Sequence, residues 1–231
     1  MPHIFGSSSY SNLNLAHSGG MDGQTYTDHT CLMGNPLFSD TVGDMCFNPA
    51  KSYQIVMATG DGNDAENGNW YRRNAVVTWD STQDGKRWSG RLVGIAEYGA
   101  LPANNVNSRV VLKLETGALE DLYVGFNRAT GINSDVEEAS DQVTIVESGG
   151  NGLTYSQSML KATLSWGQSY TVRNWRGTGE DLLVTVASIN TGIAPGFADV
   201  TVQLGDDTPS PTNEPTPLPT PYVSFVSWEN I

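Results

Sequence analysis

The stretch Phe197-Ala198-Asp199-Val200-Thr201-Val202-Gln203-Leu204 decides how the rest of the chain is read. From Asp199 onward polar and apolar residues alternate strictly, and a period of two places one set on each face of a β-strand. One face is therefore buried and the other wet. Runs of the same kind recur upstream, at 182–189 (LLVTVASI), 169–174 (SYTVRN), 158–165 (SMLKATLS) and 142–147 (QVTIVE). Four more lie at 121–127 (DLYVGFN), 108–115 (SRVVLKLE), 89–98 (SGRLVGIAEY) and 75–80 (AVVTWD). Turn clusters such as Asp84-Gly85 and Arg176-Gly177-Thr178-Gly179 separate them. Regularly spaced short strands of this type predict a mainly β chain with a β-sandwich domain over residues 61–205. Trp79, Trp88, Phe126 and Trp166 are expected to be buried in it, each removing about 150–250 Å² from water.

The two ends of the chain differ from this middle. Residues 1–60 are dense in Asn, Ser and Gly, hold both cysteines, and read as loop-rich rather than as strands. Residues 206–231 form a Pro/Thr-rich tail, with six of the eleven prolines between Asp206 and Pro221. Proline lacks the amide proton and fixes φ, so this segment is expected to be an extended spacer without packing contacts.

With 38% hydrophobic and 9% aromatic residues among 231, the chain can build a core, which excludes wholesale disorder. The net charge of −13 excludes nucleic acid as a natural partner, because no basic patch is dense enough to displace phosphate counterions. No apolar run reaches 18 residues, so no membrane-spanning helix is expected. The opening MPHIFGSSSYS has neither a basic n-region nor an apolar h-region, so a signal peptide is not expected in the chain as written.

The chemistry-bearing stretch is Asn12-Leu13-Asn14-Leu15-Ala16-His17-Ser18-Gly19-Gly20, followed by Cys31-Leu32-Met33-Gly34-Asn35. It is similar to the back half of a metzincin zinc site, HExxHxxGxxH followed by a Met-turn. Met45-Cys46-Phe47-Asn48-Pro49-Ala50-Lys51-Ser52-Tyr53-Gln54 and Tyr123-Val124-Gly125-Phe126-Asn127-Arg128-Ala129-Thr130-Gly131-Ile132-Asn133 extend the likeness. Together these segments resemble gametolysin-like peptidases, secreted zinc endopeptidases that act on extracellular and cell-wall proteins. The resemblance covers roughly residues 12–205 and implies that residues 1–60 are the C-terminal remnant of a metzincin catalytic domain.

The resemblance makes His17 the third zinc ligand and Met33 the Met-turn residue. Counting back along the motif, Ser7 and Ser11 stand where the other two ligands belong, Ser8 replaces the general-base Glu, and Asn14 replaces the turn Gly. A neutral hydroxyl is a poor zinc ligand beside imidazole, and Ser8 cannot act as a base near neutral pH. Zinc, the family's cofactor, is thus not expected to be held tightly, and no catalytic residue remains. The match begins sharply at Asn12, which suggests an interruption within the zinc helix. His3 and His29 have no spacing that would complete another site.

Three expectations remain. Cys31 and Cys46, flanking the Met-turn, are expected to form a disulfide worth about 3 kcal/mol for a loop of this size, with two buried thiols as the alternative. The oxygen-rich loop 61–68 (DGNDAENG) lacks EF-hand spacing, so a hairpin or linker is favoured there over a calcium site. In function, an inactive relative of the peptidases stands against a non-catalytic β-sandwich module that binds cell-wall glycan or protein. A monomer is expected, and the resemblance implies an extracellular or secreted protein.

Overall fold

The computed structural model describes residues 3–5, 13–35, 45–59, 75–101, 107–149 and 156–205. Ser7, Ser8, Ser11, the 61–68 loop and the 206–231 tail lie outside the described residues. The strands are β1 (His3–Phe5), β2 (Leu13–Leu15), β3 (Ser18–Gly19), β4 (Val76–Trp79), β5 (Arg87–Val93), β6 (Ser108–Arg109) and β7 (Val111–Leu114). They continue with β8 (Glu120–Asn127), β9 (Gln142–Gly149), β10 (Ser158–Leu164), β11 (Ser169–Val172), β12 (Leu182–Asn190) and β13 (Phe197–Leu204). Two α-helices are described, α1 (Pro49–Thr59) and α2 (Ile95–Tyr98).

The protein is mainly β, with two mixed sheets beside a small β1–β2 pair. One sheet has the order β3-β10-β9-β8-β7-β4 and the other β11-β12-β13-β5-β6. Most neighbours are antiparallel; β3–β10, β4–β7 and β5–β6 run parallel. The chain changes sheet at Val110, since β6 pairs with β5 and β7 pairs with β4 and β8.

Alternation does the packing. Val184, Val186, Val200 and Val202 face inward and meet Leu112, Leu114, Val124 and Ile145 of the six-stranded sheet in one core. Thr185 and Thr201, between those valines, face outward on the five-stranded sheet. That sheet keeps a wet face. The six-stranded sheet does not: Asp121 through Phe126 are all buried. Its outer side carries Val111, Tyr123, Val146 and Leu160, which pack against Ala50 and Tyr53 of α1.

Three expectations are corrected. Trp79 and Phe126 are buried at 1% and 5% exposure, and Trp88 packs partly buried on the core, but Trp166 is 73% exposed. Trp166 sits in the turn between β10 and β11, beyond the last residue that reaches the core. Its place inside is taken by Trp175, 2% exposed. The run 89–98 is not one strand, because Gly94 ends β5 and residues 95–98 form α2. The opening, read as loops without strands, contains the short strands β1, β2 and β3, the last of them joined to β10 of the six-stranded sheet, and a helix. Asn48 caps α1 by accepting the Lys51 amide on Oδ1 at 3.0 Å, with Pro49 at the first helical position.

Candidate functional site

The LAHSGG and CLMGN segments lie side by side. The Ser18 amide donates to the Met33 carbonyl at 3.0 Å, and the Ser18 carbonyl accepts the Tyr26 amide at 3.0 Å. The glycines make these crossings possible. A Cβ on Gly34 would lie 2.0 Å from the Asp28 carbonyl oxygen, and one on Gly20 would lie 2.3 Å from that of Thr27. Met33 and Cys31 are buried in a small apolar cluster with Phe47 and Ile55.

Beneath them is a polar core. Ser18, Asp28, Asn48, Lys51 and Ser158 are each at most 3% exposed. Ser18 Oγ donates to Asp28 Oδ2 at 2.6 Å and lies 2.8 Å from Ser158 Oγ. Asn48 Nδ2 donates to Ser18 Oγ, Ser158 Oγ and Asp28 Oδ2 at 2.8, 3.0 and 3.2 Å. Asp28 Oδ1 accepts both the amide and the hydroxyl of Thr30, at 2.9 and 2.6 Å. Lys51 Nζ donates to the Ser156 carbonyl. Burial lowers the Lys51 pKa to about 8, opposed by the charges of Cys31 and Asp28. The network joins β3, the 20–35 loop, α1 and β10 through groups that water does not reach. Bonds of this kind between buried partners fix one arrangement and penalise any other.

His17 sits at the edge of this core, half-buried. Its Nε2 is 2.7 Å from the Tyr26 hydroxyl and the two rings are 4.2 Å apart. Tyr26 holds φ at +68°, a left-handed conformation that costs a non-glycine residue energy. His29, half-buried, bonds through Nδ1 to the Asn35 carbonyl. Among the described residues no three His, Cys, Asp or Glu side chains converge where a metal could be held. Zinc needs three or four such donors, and His17 brings one imidazole already engaged by a phenol, so the described residues do not fit zinc. His17 and Met33 thus come together at the backbone level, and no second ligand joins them among the described residues.

The disulfide is not formed. Cys31 and Cys46 are both free and buried, although the Leu32 amide donates to the Cys46 carbonyl at 3.2 Å. The Cys31 sulfur is turned to accept the amides of Met33 and Asn48, at 3.4 and 3.3 Å. Burial pushes both thiols up to about 12, helped at Cys31 by the Asp28 charge.

These shifts predict alkaline instability. A thiol with an ordinary value of 9.0 and a folded value of about 12 stabilises fully below pH 9 and loses that contribution as pH rises towards 12. Lys51 acts in the opposite sense, since a fold that lowers its pKa from 10.5 to about 8 gains stability between those values. Two thiols, joined above pH 10 by the buried Tyr123 hydroxyl whose pKa burial also raises, outweigh one amine, so the urea midpoint is expected to fall above about pH 9.5. Cys31→Ala combined with Cys46→Ala should flatten that fall. An equally steep alkaline limb in the double variant would reject the assignment.

What sequence reasoning missed are the network's members Asp28, Asn48, Lys51 and Ser158. Asn48-Pro49 was a readable helix start, but nothing local marks Ser158, which lies 140 residues from Ser18. Compared with known proteins, the chain matches no family model, and no curated protein or solved structure is detectably similar to it.

Proposed function

We propose that the chain is a relative of gametolysin-like zinc metalloendopeptidases that no longer carries their activity. The observation that supports this best is the Ser18 amide bond to the Met33 carbonyl, which sets the segment bearing His17 against the segment bearing Met33. A Met-turn beneath a ligand histidine requires that proximity. On this reading residues 1–60 descend from the end of a metzincin catalytic domain, residues 61–205 form the β-sandwich domain behind it, and the family's substrates are extracellular or cell-wall proteins. Ser7 and Ser11 stand at the other ligand positions and Ser8 at the base position. Neither a tightly held metal nor a group to deprotonate its water follows from those residues.

The purified chain is expected to hold well under one zinc per molecule and to show no chelator-sensitive cleavage of casein. Stoichiometric zinc with proteolysis abolished by 1,10-phenanthroline would overturn the proposal. A second reading, a non-catalytic module that binds cell-wall glycan or protein, is favoured by the exposed Trp166 and the polar outer face of the five-stranded sheet.

A further inference from the structure

The outer face of the five-stranded sheet is ordered in rows. Register pairs Ser169 with Thr185, Thr185 with Thr201, and Thr201 with Ser89. One hydroxyl per strand therefore crosses four adjacent strands, about 4.8 Å apart. Ser169 Oγ and Thr185 Oγ1 are 2.8 Å apart. The next row is Ser188, Asp199, Arg91 and Ser108. Arg91 donates from Nε and Nη2 to the two Asp199 oxygens at 2.9 and 3.2 Å, and Ser188 Oγ donates to Asp199 at 2.9 Å. The Arg91 guanidinium carbon also lies over the Phe197 ring, 3.4 Å from its centroid, a cation–π contact that helps hold the side chain in place. Where the rows reach β6, an open groove of about 340 Å³ is lined by Ser89, Arg91, Asn107, Ser108, Asp199 and Thr201.

At the other side of the same sheet stands Trp166. It is 73% exposed, yet it is held in place, because its indole N–H donates to the Ala187 carbonyl at 2.9 Å. Ala187 lies at the β12 bulge, one residue before the Ser188 that opens the Asp199–Arg91 row. By strand spacing, β12 and β5 are about 10 Å apart. A fixed, exposed indole therefore stands at the β11–β12 edge of the sheet whose outer face carries the hydroxyl row and the neutral Arg–Asp pair. An exposed indole held in one orientation by its N–H bond offers a fixed flat apolar surface on which a ligand can stack.

The chemistry selects the partner. An anionic ligand is repelled by a chain of net charge −13, and the one guanidinium in the groove is already neutralised by Asp199. An apolar helix or strand finds hydroxyls where it needs side chains to bury against. A sugar ring meets both demands, since its C–H face stacks on an indole and its hydroxyls exchange donors and acceptors with Ser, Thr, Asn, Asp and Arg. We propose that this face binds an uncharged polysaccharide, with Trp166 as the stacking platform and the Ser89–Arg91–Asn107–Asp199–Thr201 groove as the hydrogen-bonding subsite. The proposal rests on the second reading above and names its ligand class and its site; it is independent of peptidase descent.

Affinity electrophoresis of the full chain against xyloglucan, arabinogalactan and soluble starch tests it, with polygalacturonate as the anionic control. Retardation by at least one neutral polymer and none by polygalacturonate is expected. Trp166→Ala should weaken the retained interaction at least tenfold, Trp166→Tyr should restore part of it, and Thr201→Val should weaken it several-fold. Both sites are on the surface, and unchanged far-UV circular dichroism and urea midpoints would confirm that the variants fold. No retardation by any neutral polymer overturns the reading and the site together. Retardation that survives Trp166→Ala and Thr201→Val in folded protein overturns the site alone.

Discussion

Replacing Asp28 by alanine is expected to destabilise the fold by about 3–5 kcal/mol, among the largest effects of any polar substitution in the chain. The carboxylate accepts from Ser18 Oγ, Asn48 Nδ2, and the amide and hydroxyl of Thr30, all inside a region closed to water. Alanine leaves the buried Thr30 amide and hydroxyl without that acceptor and takes one from Ser18 and Asn48, which keep Ser158 as a partner; an unmatched buried donor costs about 1–3 kcal/mol. It also removes a negative charge that favours the protonated form of Lys51, which is itself fully buried. Residues 16–35 bury few apolar side chains, Ala16, Cys31 and Met33, so their polar and backbone bonds carry most of their anchoring. Cleavage within 20–30 by a nonspecific protease should therefore accelerate along with the global loss. Asp28→Asn keeps an acceptor oxygen but points an amide at a neighbouring donor, and should lose about 2–3 kcal/mol. Urea unfolding that moves by less than about 1 kcal/mol in Asp28→Ala would show that the network is not what fixes this segment.

That network also marks how far the sequence could be read. The strands were legible wherever one face is wet, because alternation such as Val200-Thr201-Val202 is visible locally. β8 was legible for another reason: a continuous buried run between turn signals reads as a strand covered on both sides. The covering element was less so. Asn48-Pro49 announces a helix, yet Lys51 and Gln54, both buried here, disguise the apolar stripe that would have completed the reading. The polar core beneath His17 and Met33 does not show in any window, because Ser18, Asn48 and Ser158 meet only after β3 has paired with β10.

Trp175→Ala is expected to cost about 3–5 kcal/mol, whereas Trp166→Ala should cost less than about 1 kcal/mol. The two residues stand nine positions apart in polar surroundings, Trp166 between Ser165 and Gly167 and Trp175 between Asn174 and Arg176, and composition does not separate them. Topology does. Trp166 lies in the tight turn after β10, where Gly167 at φ +77° reverses the chain before the side chain can reach the core. Trp175 lies in the longer β11–β12 connection, whose Asn174 and Arg176 both adopt left-handed conformations, at φ +50° and +53°. That double reversal turns the indole inward. It packs 6.2 Å from the Trp79 ring, donates to Ser81 Oγ at 3.2 Å, and closes one end of the core against β4. Around it, Arg176 bonds Asp80 and crowds Gly117, where any Cβ would come within 2.6 Å of the guanidinium. This tight rim should prevent collapse into the vacated space, so the cavity contribution adds to the lost burial. The check is chemical unfolding of both variants beside the parent chain. If Trp175→Ala loses no more than Trp166→Ala, the β11–β12 connection does not seal the core as its geometry indicates.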